Sequence, residues 1–404
     1  MAGANVLPII DTSASMSSSG YVETTQTDSE AFVRAARPGD RIGVVSYDQY
    51  GRITYPLTGN QLVTVDFSLK QTKEAADAIQ RLSFMGACTN IGGGIQTART
   101  MMDSAPAPKG LVLLSDGYQN CGTPPLTVLP NYPIYSCAMG PYSDQNLMWD
   151  IAARTGGKYY FAPTVFDMML IFNQIRGELD LAMRIVTNEL SSLAKGESKR
   201  YPVTISDGQT AAQFAYTWND TAVSYTPDAP GPNQIHVNLF DPDGTEWAEP
   251  PQVIGGGYVI FNVEGAKPGT WEIGVQLGTT QSDVVPVTAG GFEFGAGSVS
   301  IQIGDPAALH NHTAHSNPVK LLKDGVPLQD VAVHVQRLEP VPQFLQIVQL
   351  QEKPVEEPHA DQKSDVIPQR TLLGRSVTFR VVASGKDASG LTVQRTEIVT
   401  VFEG

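Results

Sequence analysis

The stretch that decides the fold is Val6-Leu7-Pro8-Ile9-Ile10-Asp11-Thr12-Ser13-Ala14-Ser15, near the start of the 404-residue sequence. Its first five residues are apolar without alternation, which is typical of a central parallel strand covered on both faces. A second run of this kind is Leu111-Val112-Leu113-Leu114. The two runs predict buried strands of an open α/β sheet, in which ligands bind at the carboxyl ends of the strands.

Residues 1–193 alternate such strands with helical stretches, which predicts a doubly wound, Rossmann-like and mostly parallel sheet. The segment Arg52–Pro56 is expected to be its antiparallel edge strand. The other strands are predicted at Val6–Ile10, Arg41–Tyr47, Leu111–Ser115, Ile134–Met139 and Lys158–Phe161. The helices are predicted at Tyr21–Ala36, Lys70–Leu82, Ile91–Asp103, Asp144–Thr155 and Val165–Ser192.

Beyond about Ala194 the helical periodicity ends, and short alternating strands are separated by turn signals such as Asp241-Pro242-Asp243-Gly244. This pattern is typical of β-sandwiches. We expect one sandwich over 194–284 and an immunoglobulin-like or fibronectin-like sandwich over 285–404, together forming a stalk. Residues 352–369 combine three prolines with mixed charge and are predicted to be a mobile loop within the last sandwich.

The amino-acid composition argues against two classes of interaction, with nucleic acid and with the membrane interior. Lys plus Arg number 27 and Asp plus Glu number 41, which gives a net charge of −14. Nucleic acid is therefore an unexpected partner, since binding phosphates needs a basic face. The longest apolar runs are far shorter than the roughly 20 residues that span a bilayer, so direct membrane insertion is not expected either.

Five oxygen-bearing side chains follow the ends of predicted elements in the first domain. Asp11, Ser13 and Ser15 leave the first strand, Thr89 precedes a helix, and Asp116 ends the fourth strand. If the first and fourth strands are neighbours, all five converge at one edge of the sheet. Oxygen ligands with few carboxylates suit a hard cation such as Mg²⁺ or Mn²⁺, and the lack of His or Cys makes zinc a poor fit.

On these residues, the first domain resembles a von Willebrand factor type A domain. The family's metal-ion-dependent adhesion site has an Asp-x-Ser-x-Ser motif with a distant Thr and a distant Asp-Gly, and all of these elements are present. The resemblance implies a bound Mg²⁺, with Mn²⁺ or Ca²⁺ as substitutes. It also implies adhesion rather than catalysis, with a partner protein supplying an Asp or Glu carboxylate to the metal.

The whole arrangement also resembles the calcium-activated chloride channel regulators and their bacterial relatives, on Val237–Trp247 and Lys267–Gln276. The His-Glu-x-x-His metalloprotease motif of the animal members is missing, so self-cleavage is not carried over. Two alternatives stay open. One is the non-catalytic accessory region of a larger secreted protease or channel-regulator-like protein, and the other is an intracellular type A assembly factor.

Three cysteines allow one disulfide. Cys88 and Cys121 each lie close in sequence to a metal-site residue, and we hypothesise that they pair, with Cys137 buried on the fifth strand. The expected location is extracellular or at the cell surface, as part of a larger secreted protein. A cytoplasmic location stays open because the sequence begins without a signal peptide.

Overall fold

The computed structural model describes residues 3–180, 182–295, 299–304, 306–311, 319–338, 375–387 and 390–403. Within these residues an α/β domain comes first, and strands with short 3-10 turns follow it. Residues 352–369, predicted above as a mobile loop, lie outside the described residues. No helix in the described part of the chain combines the length and the apolarity needed to cross a membrane.

The α/β domain has a mostly parallel central sheet, as predicted. Its strands are β1 Asn5–Asp11, β2 Arg41–Ile42, β3 Val44–Tyr47, β4 Gly51–Tyr55, β5 Val63–Thr64, β6 Lys109–Ser115, β7 Ile134–Met139 and β8 Tyr159–Ala162. The main sheet order is β4-β3-β1-β6-β7-β8, in which only the edge strand β4 is antiparallel to its neighbour. Strand β1 therefore lies between β3 and β6, and the residues that follow β1 and β6 meet at one edge of the sheet.

Helices cover both faces of this sheet. They are α1 Ala14–Ser18, α2 Val22–Arg34, α3 Lys70–Gln80, α4 Ile91–Met102, α5 Gln145–Thr155 and α6 Met168–Leu179. Asn90 caps α4 by accepting a hydrogen bond from the N–H of Gly93 at 2.8 Å. Asp144 caps α5 in the same way through Leu147 at 3.1 Å. Both caps hold loops at the carboxyl edge of the sheet, because a side-chain oxygen satisfies a helical N–H that has no other partner.

The prediction of one helix over Val165–Ser192 is wrong for the second half of that range. Helix α6 ends at Leu179, and a strand, β9, runs over Met183–Ala194. The β-branched run Ile185-Val186-Thr187 accounts for the change, because such side chains lose rotamer freedom in a helix and pack well in a sheet. Strand β9 pairs with β17, Val284–Phe294, along its whole length. The two paired strands lie directly before and directly after residues 194–284, the range predicted as a separate domain.

In the described part of the all-β region, the strands form several sheets. Its further strands are β10 Ser198–Ile205, β11 Ala211–Trp218, β12 Ser224–Tyr225, β13 Gln234–Phe240, β14 Val253–Ile254, β15 Tyr258–Glu264, β16 Gly269–Leu277, β18 Val299–Ile303, β19 Val319–Lys323, β20 Val326–Pro327, β21 Ala332–Arg337, β22 Arg375–Lys386 and β23 Thr392–Glu403. The strand orders are β10-β16-β13-β12, β14-β15-β11-β17-β9, β18-β19-β20 and β21-β22-β23. These sheets are antiparallel except for the short parallel pair β12–β13.

The β region packs directly on the α/β domain, in contrast to the predicted stalk. Phe32 of α2 and Phe172 of α6 lie 4.9 Å apart between ring centroids and share one buried cluster with Phe292 of β17. Arg176 of α6 is buried and donates to Gln213 of β11 at 3.0 Å. Helix α6 is buried at nearly every position, and a helix without a solvated face must be covered on all sides. The strands beyond residue 182 supply that cover.

The C-terminal hairpin β22–β23 covers the free edge of β8. The hydroxyl of Thr378 donates to the carbonyl of Phe161 at 2.5 Å, and the N–H of Phe161 donates to Thr400 at 3.1 Å. The ring of Phe402 stacks on Trp149 of α5 with centroids 5.3 Å apart. These contacts give hydrogen-bond partners to backbone groups of β8, which as an edge strand would otherwise present them unpaired to solvent.

Candidate metal centre

The carboxylate of Asp11 lies at the end of β1 and is fully buried. Its Oδ1 atom accepts a hydrogen bond from the N–H of Ser13 at 2.9 Å, which closes a turn directly after the strand. Its Oδ2 atom accepts a hydrogen bond from the hydroxyl of Ser115 at 2.8 Å, and the hydroxyl of Tyr47 is shared between this atom at 3.2 Å and the carbonyl of Leu114 at 2.8 Å. These bonds hold Asp11 in place beneath the loop that carries the two serines.

The two serines of that loop are linked to Asp116 at the end of β6. The Oγ atoms of Ser13 and Ser15 are 2.9 Å apart, and Ser15 Oγ donates to Asp116 Oδ1 at 2.8 Å. Since the hydrogen of Ser15 is used on Asp116, the hydrogen between the two serines comes from Ser13. The neighbouring positions of β1 and β6 in the sheet thus bring together groups that are 101 residues apart in sequence.

Thr89 approaches the same place from the loop before α4. Its N–H donates to Asn120 Oδ1 at 2.8 Å, and the N–H of Asn120 donates to the Thr89 carbonyl at 3.1 Å. A Cβ atom at Gly117 would lie 3.5 Å from both Thr89 Oγ1 and Ser15 Oγ. The two hydroxyls therefore border one space next to Asp116, and all five residues predicted from the sequence meet at one edge of the sheet.

The two carboxyl groups are held in an environment that disfavours their negative charges. Burial raises the pKa of Asp11 above its ordinary value, although its hydrogen bonds lower it in part. Burial and the nearby charge of Asp11 raise the pKa of Asp116 to about 6. Two like charges that are poorly solvated destabilise each other, and a bound cation would offset that cost.

The side chains present fit a divalent cation. Asp116 Oδ2 is buried and has no hydrogen-bond partner, so one carboxylate oxygen is left for another ligand. Three hydroxyls and two carboxylates form an all-oxygen donor set, which hard cations such as Mg²⁺ prefer. Among the described residues, no group of three or more His, Cys, Asp and Glu side chains could hold a metal ion. A metal ion bound at this edge of the sheet would therefore be held by the three hydroxyls as well as by the two carboxylates.

Sequence reasoning did not find the residues that hold the donors in place. Tyr47 and Ser115 support Asp11, and Asn120 supports Thr89. Ser115 carries a detectable signal, because it is a polar residue at the end of an otherwise apolar strand next to Asp116. Tyr47 and Asn120 carry none, since their partners are distant in sequence.

Cys88 and Cys121 form a disulfide, with their Cα atoms 6.1 Å apart. It joins the loop of Thr89 to the loop that follows Asp116. Cys137 is a free and buried thiol on β7. The candidate centre is supplied by three loops, which follow β1, precede α4 and follow β6. The disulfide connects the second and third of these loops.

Replacing both bridged cysteines by serine is expected to destabilise the α/β domain. The disulfide links two residues with a sequence separation of 33. Because it restricts the unfolded chain, its removal should lower the free energy of unfolding by about 3–4 kcal/mol. Chemical denaturation of the double variant measures the change, and wild type in reductant should show a similar fall. An unfolding midpoint equal to that of oxidised wild type would contradict this account.

The thermal stabilisation by a metal is expected to depend on pH. Asp116 has a folded pKa of about 6 against an ordinary value of 3.8. Its contribution to stability is therefore full below 3.8 and is lost as the pH rises through about 6, when no metal is bound. A cation binds the carboxylate form, so millimolar Mn²⁺ should raise Tm more at about pH 7.5 than at about pH 5. Equal increases at both pH values would show that Asp116 is not a ligand.

The start of the chain matches a known protein family. The family model of the von Willebrand factor type A domain matches residues 6–119, a range that contains all five residues of the candidate centre. Together with the mostly parallel sheet, this match supports a type A α/β domain at the start of the chain. No curated protein matches the sequence.

Several solved structures are similar to the chain at low identity. A von Willebrand factor type A protein from Catenulispora acidiphila is 17% identical, with 73% of this chain and 65% of that chain covered and a TM-score of 0.42. Proximal thread matrix protein 1 from the mussel byssus, with a zinc-occupied metal-ion-dependent adhesion site, is 17% identical, with coverages of 48% and 50% and a TM-score of 0.37. The ArnB paralog VWA2 from Sulfolobus acidocaldarius is 12% identical, with coverages of 99% and 66% and a TM-score of 0.34. The chain thus spans about half to two-thirds of the length of these structures.

Proposed function

We propose that this protein is a metal-dependent protein-binding module. A divalent cation, Mg²⁺ or in its place Mn²⁺ or Ca²⁺, would be held by Asp11, Ser13, Ser15, Thr89 and Asp116. The cation would supply a positive charge that a carboxylate of a partner protein can bind. The observation that carries the proposal is the convergence of Asp116 and four other oxygen-bearing residues at one edge of the sheet, where the Oδ2 atom of Asp116 is buried without a hydrogen-bond partner.

The chemistry of the donors supports binding of an acidic group. Hydroxyl oxygens are neutral, so they leave the charge of a divalent cation less compensated than a set of carboxylates would. An Asp or Glu side chain from a partner can complete that compensation. We propose that the protein acts in this way, by adhesion and without catalysis.

We also propose an extracellular or cell-surface location. The Cys88–Cys121 disulfide supports it, because disulfides persist in oxidising compartments and are rare in the cytosol. The immunoglobulin-like nature of the β region, the division at 194 and 285, and the relation to chloride channel regulators stay predictions beside this proposal.

The test is a pair of linked measurements on the whole chain. Calorimetric titration with Mg²⁺, Mn²⁺, Ca²⁺ and Zn²⁺ should show one site for a hard cation. Capture of secreted and cell-surface proteins should then occur in Mg²⁺ and be lost in chelator, and alanine scanning of the acidic residues of the captured protein should identify one essential Asp or Glu. Capture that is unchanged in chelator would overturn the proposed function.

A further inference from the structure

An exposed methionine lies beside the two serines of the candidate centre. Met85 is 84% exposed, which is unusual for a large apolar side chain. Its neighbour Gly86 accepts a hydrogen bond from the N–H of Ala14 at 2.9 Å and donates one to the carbonyl of Thr12 at 3.1 Å. Gly86 thus forms a bridge with Ser13, and Met85 is fixed next to the first loop of the centre.

An exposed tyrosine lies in a turn that is attached to the loop of Asp116. Tyr142 is 77% exposed and belongs to a turn in which Ser143 Oγ donates to the Gly140 carbonyl at 2.8 Å. The N–H of Asp144 donates to the carbonyl of Gly117 at 3.4 Å. This turn is therefore attached to the residue that follows Asp116.

A second exposed tyrosine lies beside Thr89. Tyr50 is 62% exposed, and its N–H donates to Asp48 Oδ1 at 2.9 Å. The backbone N–H of Asn90 donates to the Asp48 carbonyl at 2.8 Å, and its side chain donates to the Gln49 carbonyl at 3.0 Å. Each loop of the centre thus has one large, exposed and largely apolar side chain next to it.

The surface around the centre offers no free positive charge from these loops. The segments 12–21, 48–51, 83–90, 117–124 and 140–146 contain no Lys, Arg or His. Arg52 follows one of them and is paired with Asp48 at 2.8 Å. A partner segment with several acidic residues would therefore gain no further ion pair from these loop segments beyond its contact with the metal.

From these observations we infer that Met85, Tyr142 and Tyr50 form an apolar rim around the metal centre, and that the partner segment carries a single acidic residue flanked by apolar side chains. The inference rests on the proposed function. Methionine and tyrosine are enriched in protein interfaces, where they supply contact area at low entropic cost. The acidic residue would bind the metal, and its neighbours would bury the rim.

The test selects peptides on the intact chain. A displayed library of peptides with a fixed central Asp and random flanking residues is panned in millimolar Mn²⁺ and eluted with chelator. We expect the eluted peptides to be enriched in apolar residues next to the Asp. The Asp116→Asn variant should yield no chelator-eluted peptides.

One enriched peptide is then made synthetically and its affinity is measured for matched variants. The double variant Met85→Ser/Tyr142→Ser should bind it about tenfold more weakly or worse, since exposed anchors at an interface carry much of the affinity. Phe67→Ser is the control, because Phe67 is 93% exposed but lies near Asp40 at the opposite edge of the sheet. Its affinity for the peptide should equal that of wild type, and both Met85→Ser/Tyr142→Ser and Phe67→Ser should bind Mn²⁺ alone with unchanged affinity.

The outcomes separate the two proposals. Chelator-eluted peptides with acidic, basic or small polar flanks would overturn the apolar rim and leave the metal-dependent function standing. Equal peptide affinity of the double variant and wild type would overturn the rim in the same way. A wild-type chain that yields no chelator-eluted peptides would overturn the rim together with the proposed function.

Discussion

Replacing Asp116 by Asn is expected to lower the affinity for Mg²⁺ and Mn²⁺ by about 100-fold or more, since even residues that only support metal ligands cost about 10–100-fold when mutated. The amide keeps the volume and can still accept the hydrogen bond from Ser15, so the loop has no reason to rearrange. What is lost is a negative charge and the buried Oδ2 atom that has no partner. The metal-free variant should be as stable as wild type or more stable, because one of two mutually repelling carboxylates has gone.

Asp40 offers the matched control for this experiment. Its carboxylate is buried at the opposite edge of the sheet, where it accepts hydrogen bonds from the backbone N–H groups of Ala4 and Arg37. Asp40→Asn should leave the metal affinity unchanged in calorimetric titration. If Asp116→Asn binds Mn²⁺ as tightly as Asp40→Asn does, the carboxylate of Asp116 is not a ligand.

Replacing Glu293 by Ala is expected to destabilise the β region by about 3–5 kcal/mol, the usual cost of removing one partner of a buried ion pair. Glu293 of β17 pairs with Arg395 of β23, and both side chains are almost completely buried. Glu293 Oε2 also accepts a hydrogen bond from the N–H of Ser206 at 2.8 Å. The variant would leave a buried guanidinium without a counterion and a buried N–H without an acceptor.

A second ion pair near the same strand serves as the control. Lys195 and Asp283 are 2.6 Å apart, but their side chains are 53% and 83% exposed. Surface pairs of this kind contribute little, so Asp283→Ala should leave the unfolding curve in urea nearly unchanged. Similar urea midpoints of unfolding for Glu293→Ala and Asp283→Ala would show that the buried pair does not stabilise the packing of the C-terminal hairpin.

The candidate centre could be predicted from the sequence because its signals are local. Asp11, Ser13 and Ser15 follow directly on an apolar run, and Asp116 ends another run of the same kind. These groups can converge only if the two strands are neighbours in the sheet. The structure meets this condition, since β1 and β6 pair in parallel. Short-range patterns therefore identified the donors, while the sheet order decided that they meet.

The packing of the β region could not be predicted in this way. Its contacts join residues that are far apart in sequence, such as Arg176 with Gln213 and Glu293 with Arg395. No periodicity of a single segment reveals such pairs. The wrong helix prediction over 165–192 has a related cause, since the apolar residues of β9 satisfy a helical pattern until their pairing with β17 is known.

The metal centre is tested most directly by a crystal structure of the whole chain grown in manganese, with anomalous diffraction data. We expect one anomalous peak within bonding distance of the hydroxyls of Ser13 and Ser15, beside the carboxylate of Asp116. Ser15 would then no longer hold its hydrogen bond to Asp116 as it does here. Side chains that keep their present hydrogen bonds, with no peak between them at saturating manganese, would contradict a metal centre in this protein.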